Sequence, residues 1–295
     1  MIKRFSSVKI MRMSILLLVL LLLYIFPSKK DYELNTNMVN TNNNYHDIYL
    51  LNNKGYVSKT TIAISSLDKE KIANDLLNSL IINGNNKNKV PEGFIGTIPN
   101  KTKIDNIKID NECITVSFSE EIKNCNDKDK MIESIVYTLT SIKGINKVYL
   151  KIDNKEDGYF EESYSRKIGI NKEYDITSIH DIDSLTLYYV VKGDNDYYVP
   201  VTKVFNNSED KIKVIIDELS SRSTIESGLI SYLDQETRLI NYNLEDGDLD
   251  LFFNEAVLKD TDSKVLEEIK SCIKYSIEDS YDIKNIHFYS NEKEF

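Results

Sequence analysis

The sequence has no tryptophan and only three cysteines, four prolines and ten glycines in 295 residues. Cys113, Cys125 and Cys272 are too few, and odd in number, for a framework of disulfide bonds. The low proline and glycine content excludes collagen-like and proline-rich repeats. Cys272 continues an apolar helical stripe, so it is expected to be a small core residue.

Basic residues are also scarce relative to acidic ones. The chain has 37 lysines and arginines against 47 aspartates and glutamates, a formal net charge of −10. Because binding to phosphates needs clustered basic side chains, nucleic acid is not expected as a partner. Apolar residues make up 41% of the chain, which is enough for buried cores. At about 150 residues per domain, the composition predicts a soluble, acidic body of two domains.

The N-terminus has the opposite character. Residues 1–30 contain six basic residues and no acidic one, with an apolar run over residues 14–26. Basic residues followed by an apolar segment are typical of an export signal. Residues 1–30 are therefore predicted to be an uncleaved signal anchor that enters the membrane through residues 10–26. A cleaved signal peptide is the alternative, and a buried helix of a cytosolic protein is the least favoured interpretation.

The charges around the apolar run predict its orientation. Four basic residues precede the run, whereas only Lys29 and Lys30 follow it. The positive-inside rule then places the N-terminus in the cytoplasm and the body outside the cell membrane. No cysteine lies near the run, which excludes a lipoprotein signal. The Asn-rich residues 31–47 are predicted to be a flexible spacer.

Hydrophobic periodicity predicts seven elements in the first half of the body. They are strands at residues 48–51 and 59–64, a helix at 72–81, strands at 104–109 and 114–118, a helix at 131–142 and a strand at 145–152. Ser65 or Ser66 is expected to cap the first helix, which Gly84 can end. Leu139 is expected in the core, because it completes the apolar stripe of the second helix.

The second half repeats this order. Residues 93–122 align without a gap with residues 228–257, at a constant offset of 135. The predicted turn at Asn111-Glu112 aligns with Asp246-Gly247, and Asp-Gly between alternating strands is a strong hairpin signal. A core pattern kept over the whole alignment indicates an internal duplication.

Each unit therefore has the order β-β-α-β-β-α-β. This order predicts a small α+β domain in which helices cover one face of a mostly antiparallel sheet. The first domain is expected at residues 48–153 and the second at residues 185–295. Residues 154–184 between them are polar, and are predicted to be a connector that is partly ordered at best.

The residues that usually carry catalysis or bind metals form no recognisable pattern. His46 and His180 lie in the predicted spacer and connector, and His287 lies on a strand face, so no nucleophile triad is expected. The cysteines and histidines lack the spacing of a zinc site. The acidic run at residues 246–250 fails the EF-hand pattern and is better explained as a hairpin. No catalytic, cofactor-binding or metal-binding residues are predicted, and the protein is not expected to be an enzyme.

Several short motifs of the first copy form a further pattern. The most specific is Tyr137-Thr138-Leu139-Thr140, followed by Gly144 and Val148; the others are Leu76-Leu77 with Gly84, Ile98-Pro99-Asn100-Lys101-Thr102 and Val116-Ser117-Phe118. In the second copy, Thr138 aligns with Cys272 and Pro99 with Asp234. With these motifs the repeated unit resembles the GerMN domain, a family found in tandem in sporulation and germination proteins of endospore-forming bacteria.

The resemblance covers about residues 48–153 and 187–290. It implies a fold similar to the ring-building motif of secretion-system and sporulation channel proteins, and a non-catalytic envelope module. The implied role is a scaffold or ring-associated component of a complex between mother cell and forespore, with envelope or sporulation-channel proteins as partners. Because such domains also occur fused to cell-wall amidases, binding of peptidoglycan or another wall polymer stays open as the alternative.

Overall fold

The computed structural model describes residues 44–156, 158–172, 182–192, 197–206, 210–221, 228–259 and 262–295. Residues 43–295 form one compact unit. The predicted signal anchor and most of the predicted spacer lie outside the described residues. Within the described part of the chain, no helix is long and apolar enough to cross a membrane.

The first repeat follows the predicted order, with a two-residue strand added. Its elements are β1 (Asn44–Asn52), β2 (Val57–Ile64), α1 (Lys69–Leu80), β3 (Phe94–Ile95), β4 (Ile104–Asp110), β5 (Cys113–Phe118), α2 (Lys128–Leu139) and β6 (Lys147–Ile152). Strand β1 begins inside the segment 31–47 that was predicted as a spacer. Its backbone pairs Asn44 with Ile64, and such pairing needs no apolar side chain.

The second repeat has the predicted order too, except that its described residues include no counterpart of β3 and that a two-residue strand is added at its end. Its elements are β7 (Ile182–Val191), β8 (Tyr197–Asn206), α3 (Lys211–Ser220), β9 (Leu239–Glu245), β10 (Asp248–Phe253), α4 (Ser263–Glu278), β11 (Asn285–Ser290) and β12 (Lys293–Glu294). The hairpins β4–β5 and β9–β10 match residue for residue at the predicted offset, and both carry a register shift at the same place. Asp246 and Gly247 have φ angles of 51° and 89°, as an Asp-Gly hairpin turn requires.

The strands of each repeat are divided between two sheets, which corrects the prediction of one sheet per unit. The central sheet has the order β3-β1-β2-β8-β7 and therefore contains strands of both repeats. The later strands form two smaller sheets, β4-β5-β6 and β12-β11-β10-β9. Strand β5 runs parallel to β6, and β10 to β11, because a helix returns the chain to the same end of the sheet between them. The fold class is α+β, as predicted.

The four described helices all begin after an aspartate. The N-cap residues are Asp68, Asp127, Asp210 and Asp262, and each side chain accepts a hydrogen bond from a backbone N–H of the first turn. A carboxylate here satisfies a free donor and complements the helix dipole. The predicted caps Ser65 and Ser66 are therefore wrong for α1; Ser66 instead accepts a hydrogen bond from the N–H of Asp68.

Each repeat has its own hydrophobic core. The core of the first repeat joins residues of α1 and α2 to strands of both its sheets, and the second core is built in the same way. Leu139 and Cys272 are fully buried, as predicted. All three cysteines are free.

Candidate functional site

The two repeats meet in the central sheet, where β2 pairs with β8 in antiparallel orientation. The ladder has a single register pair, Lys59 with Tyr198. The same register places Val57 opposite Pro200, and proline has no N–H to donate. Another group must therefore donate a hydrogen bond to the carbonyl oxygen of Val57.

The connector supplies that group through Asn171. Its Oδ1 accepts a hydrogen bond from the Val57 N–H at 3.0 Å, and its Nδ2 donates to the carbonyl oxygens of Val57 and Pro200 at 2.7 Å each. The Asn171 N–H donates to Glu133 Oε2 in α2 at 3.0 Å. One asparagine thus joins β2, β8 and α2 at the point where the ladder between the repeats is interrupted.

Residues 158–172 of the connector lie against both repeats and are called the strap below. Tyr164 pairs with Val148 of β6 through two backbone hydrogen bonds of 2.8 Å. Ile170 donates to Thr202 Oγ1 of β8 at 2.9 Å and accepts from the Thr202 N–H at 3.0 Å. Polar and backbone groups of this segment thus supply hydrogen bonds to both repeats.

Arg166 of the strap occupies the centre of the junction. Its Nε donates to Thr140 Oγ1 at 3.0 Å, its guanidinium forms an ion pair with Asp279 after α4, and it lies 4.8 Å from the ring centroid of Tyr137. Burial opposes its charge, but Tyr49 and Asp279 outweigh burial and hold the pKa of Arg166 above its ordinary value. A permanently charged side chain therefore connects the strap to both repeats.

A pair of tyrosines lies at the same junction. The hydroxyl oxygens of Tyr49 in β1 and Tyr188 in β7 are 2.7 Å apart, and both side chains are almost fully buried. The N–H of Tyr49 donates to Thr138 Oγ1 at 3.0 Å, and the N–H of Tyr188 donates to Ser276 Oγ at 2.8 Å. In both repeats, a side-chain hydroxyl of a helix, α2 or α4, thus accepts a hydrogen bond from a backbone N–H of a strand, β1 or β7. The structural counterpart of Thr138 is Ser276, and not Cys272 as the sequence alignment predicted.

The motif at residues 137–140 is explained by this junction. Its tyrosine lies under the Arg166 guanidinium, and its first threonine binds the backbone of β1. Its leucine is buried in the core, and its second threonine accepts a hydrogen bond from Arg166. Tyr137 and Thr140 therefore contact the arginine that joins the repeats, whereas Thr138 and Leu139 hold α2 within the first repeat.

A cleft of about 810 Å³ opens at the junction, bounded by the ends of α2 and α4 and by the strap. Its charged lining residues have both signs: Asp47, Lys59, Lys147, Arg166, Lys167, Glu278, Asp279 and Asp282. Lys59 Nζ lies 3.0 Å from Asp47 Oδ2 and 4.1 Å from the ring centroid of Tyr275. Small-molecule sites are mostly apolar with a few convergent polar groups. Two pairs of opposite charge lie within this lining, Lys59 with Asp47 and Arg166 with Asp279, and such pairs are typical of a structural contact.

The two described histidines lie on strands of different sheets. His46 lies in β1, and its buried Nε2 has no hydrogen-bond partner among the described residues. His287 lies on β11 with 41% of its side chain exposed, and its Nδ1 is 2.9 Å from Glu294 Oε1. His180 lies outside the described residues.

No metal centre is formed within the described ranges, where no group of three or more His, Cys, Asp or Glu side chains is placed to hold an ion. The acidic run at residues 246–250 is the turn of the β9–β10 hairpin and the start of β10. The expectation that the whole chain lacks catalytic, cofactor and metal sites stays a prediction.

Sequence reasoning missed Arg166, Asn171 and Asp279, which hold the junction together. One signal was available, since Arg166 is the single arginine between residues 13 and 221. Arginine is the preferred residue for buried ion pairs and for stacking on aromatic rings. Nothing in the sequence marks Asn171 or Asp279 among the many other asparagines and aspartates.

Comparison with known proteins gives a consistent picture. The family model "Germane: Sporulation and spore germination" matches residues 47–158 and 186–294. The spore germination protein GerM of Bacillus subtilis (strain 168) is 32% identical over 267 residues, which cover 84% of this chain and 71% of that protein. A solved structure of the tandem GerMN domains of the sporulation protein GerM from Bacillus subtilis superposes with a TM-score of 0.73 at 28% identity, covering 85% of this chain and 92% of that one.

Proposed function

The chain belongs to the Germane family of sporulation and spore germination proteins, and from this premise we propose that it is a non-catalytic scaffold of the spore-forming envelope. In this proposal residues 10–26 anchor it in the cell membrane, and the two repeats lie outside the cytoplasm. It acts through contacts with other envelope proteins, as a ring-associated component of a complex between mother cell and forespore.

The junction is the observation that carries the proposal. Arg166 and Asn171 connect the strap to both repeats, so that two small domains form one compact unit. Two pairs of opposite charge, Lys59 with Asp47 and Arg166 with Asp279, lie within the cleft, and this pairing supports a structural role for it. A body of this kind presents large surfaces in a fixed arrangement, which is what a scaffold needs.

The charge distribution supports a protein as the partner. Residues 175–295 carry 26 acidic and 12 basic residues. A surface of anionic lipids would repel this half of the chain. Phosphate-rich polymers would be repelled for the same reason. A protein partner can instead supply complementary positive charge.

The proposal is tested by deletion and complementation in the spore-forming host. Deletion of the coding sequence should lower the count of heat-resistant spores or slow their germination, and the intact chain should restore both. A chain that lacks residues 10–26 should not restore them, although it retains both repeats. A deletion strain that forms and germinates spores normally would contradict the proposal. Tight binding of the purified protein to isolated cell wall would favour the wall-polymer alternative.

A further inference from the structure

The solvent-facing side of the small sheet in the second repeat carries an aromatic platform. The rings of Phe252 and Tyr289 stack with centroids 5.0 Å apart and an interplanar angle of 17°. The His287 ring lies 6.5 Å from that of Tyr289. Along β10, Phe252 alternates with the buried Leu251 and Phe253, so it belongs to the outer face of the sheet.

Carboxylates surround this platform. Asp248 is exposed and Asp250 half-buried on β10, and 59% of the Glu294 side chain is exposed beside β11. The hydrogen bond that Glu294 accepts from His287, with the charges of Asp250 and Asp248, raises the pKa of His287. Asp248, Asp250, Phe252, Tyr289 and Glu294 are together called the acidic aromatic face.

The first repeat shows what covers the same face of its own sheet. Ser117, which occupies the position of Phe252, is buried, and its Oγ accepts a hydrogen bond of 2.7 Å from the N–H of Asn154. Lys151 Nζ, on the neighbouring strand β6, lies 3.1 Å from Glu156 Oε1. A segment of the connector with an acidic residue thus lies against a sheet face with a basic one.

In the second repeat, aromatic and acidic residues take the places that small and basic residues have in the first. The parallel register sets Ser117 beside Lys151 in the first repeat, and Phe252 beside Tyr289 in the second. Thr115 is replaced by Asp250 at the offset of 135. Among the described residues, β11 is followed by the two-residue β12, which pairs only with the last two residues of β11. Phe252 stays half-buried, whereas its counterpart in the first repeat is covered.

We propose that the acidic aromatic face binds an extended basic segment of a partner protein, rich in lysine or arginine. Ammonium and guanidinium groups pair with Asp248, Asp250 and Glu294 and lie over the rings of Phe252 and Tyr289. In the first repeat a connector segment lies against the same face through the Asn154–Ser117 hydrogen bond and the Lys151–Glu156 ion pair, with the basic residue on the sheet and the acidic one on the segment. The inference rests on the proposed scaffold role, because it names the chemistry of one of its partners.

The test measures binding of a fluorescein-labelled (Lys-Ser)6 peptide to the full-length chain in non-ionic detergent by fluorescence anisotropy. Asp250→Asn and Phe252→Ser should each raise the Kd about five-fold or more. Asp217→Asn, a matched loss of charge on the exposed side of α3, should change the Kd less than about two-fold. A (Glu-Ser)6 peptide should not bind. Equal weakening by Asp250→Asn and Asp217→Asn would overturn the proposal, since it would show only general attraction to an acidic protein.

Two other results would assign the face to a different occupant and overturn the proposal. The first is a dimer in sedimentation velocity that Phe252→Ser abolishes, which would make a second copy the occupant. The second is co-sedimentation with purified peptidoglycan that the same variant abolishes. Asp250→Asn is nearly isosteric, so it remains informative if Phe252→Ser fails to fold. The spore counts of the deletion strain test the scaffold role separately, so the two proposals can fail independently.

Discussion

Replacement of Glu133 by glutamine should stabilise the protein at pH 8 and change its stability much less at pH 5. Glu133 is 6% exposed in α2 and accepts the hydrogen bond from the Asn171 N–H. Burial raises the pKa of its carboxyl to about 7, although the Asn171 hydrogen bond and Lys172 oppose this; Asp129 and Asp127 add to the increase. The carboxyl therefore titrates near neutral pH at a contact between the strap and the first repeat.

The sign follows from where the proton is bound. The folded state holds the proton on Glu133 up to about pH 7, whereas the unfolded chain releases it near the ordinary value of 4.5. The stability from this group is fully present below pH 4.5 and is lost as the pH rises through 7. At about 1.4 kcal/mol per pKa unit, the loss between pH 5 and pH 8 is roughly 2–3 kcal/mol. Glutamine cannot ionise, so the variant avoids this loss.

The assay is urea unfolding of residues 44–295, with and without Glu133→Gln, at pH 5 and pH 8. The difference in unfolding free energy between variant and parent should become more favourable to the variant by roughly 2–3 kcal/mol at pH 8 than at pH 5. Glu292→Gln, at an exposed position, is the control and should show no such difference. The same effect of Glu133→Gln at both pH values would refute the argument from burial.

Three further predictions concern the core, the junction and metals. Leu139→Ala should lower the unfolding free energy, measured in urea, by about 2–5 kcal/mol. The control Leu67→Ala, at a side chain that is 78% exposed, should change it by less than about 0.5 kcal/mol. Equal effects of the two substitutions would contradict the register of α2. Arg166→Met should cost about 3–5 kcal/mol because it leaves Asp279 buried and unpaired, and adding Asp279→Leu should recover part of the loss in the same assay. A chelator should leave the melting temperature unchanged, and a clear drop would reveal a metal site.

The repeat was predictable from the sequence because its signal is local. Alternating apolar residues in β5 and β10 define the buried face of each strand, and Asp246-Gly247 defines the turn between β9 and β10. Leu139 and Cys272 could be placed in the cores by helical spacing alone. These features depend on neighbours within a few residues in the chain. Because the same local pattern occurs in both copies, each copy supports the prediction made for the other.

The junction was not predictable because its contacts join distant parts of the chain. Periodicity shows which face of β2 is buried, but not that β8 lies beside it. Asn171 acquires its role only because Pro200 cannot donate a hydrogen bond at that position of the sheet. The role of Arg166 depends on Asp279 and Tyr137, which contact it only in the folded structure. The division of each repeat between two sheets could not be predicted for the same reason, because strand pairing also joins distant parts of the chain.

The location of the protein tests the proposed envelope role most directly. Protoplasts of sporulating cells that contain the full-length chain are treated with proteinase K added outside and are then fractionated. The account predicts that the chain is in the membrane fraction and that residues 44–295 are digested without lysis of the protoplasts. A soluble form that begins near Lys29 would show that residues 1–30 are a cleaved signal peptide. Protection of both repeats until lysis would place them in the cytoplasm and contradict the envelope role.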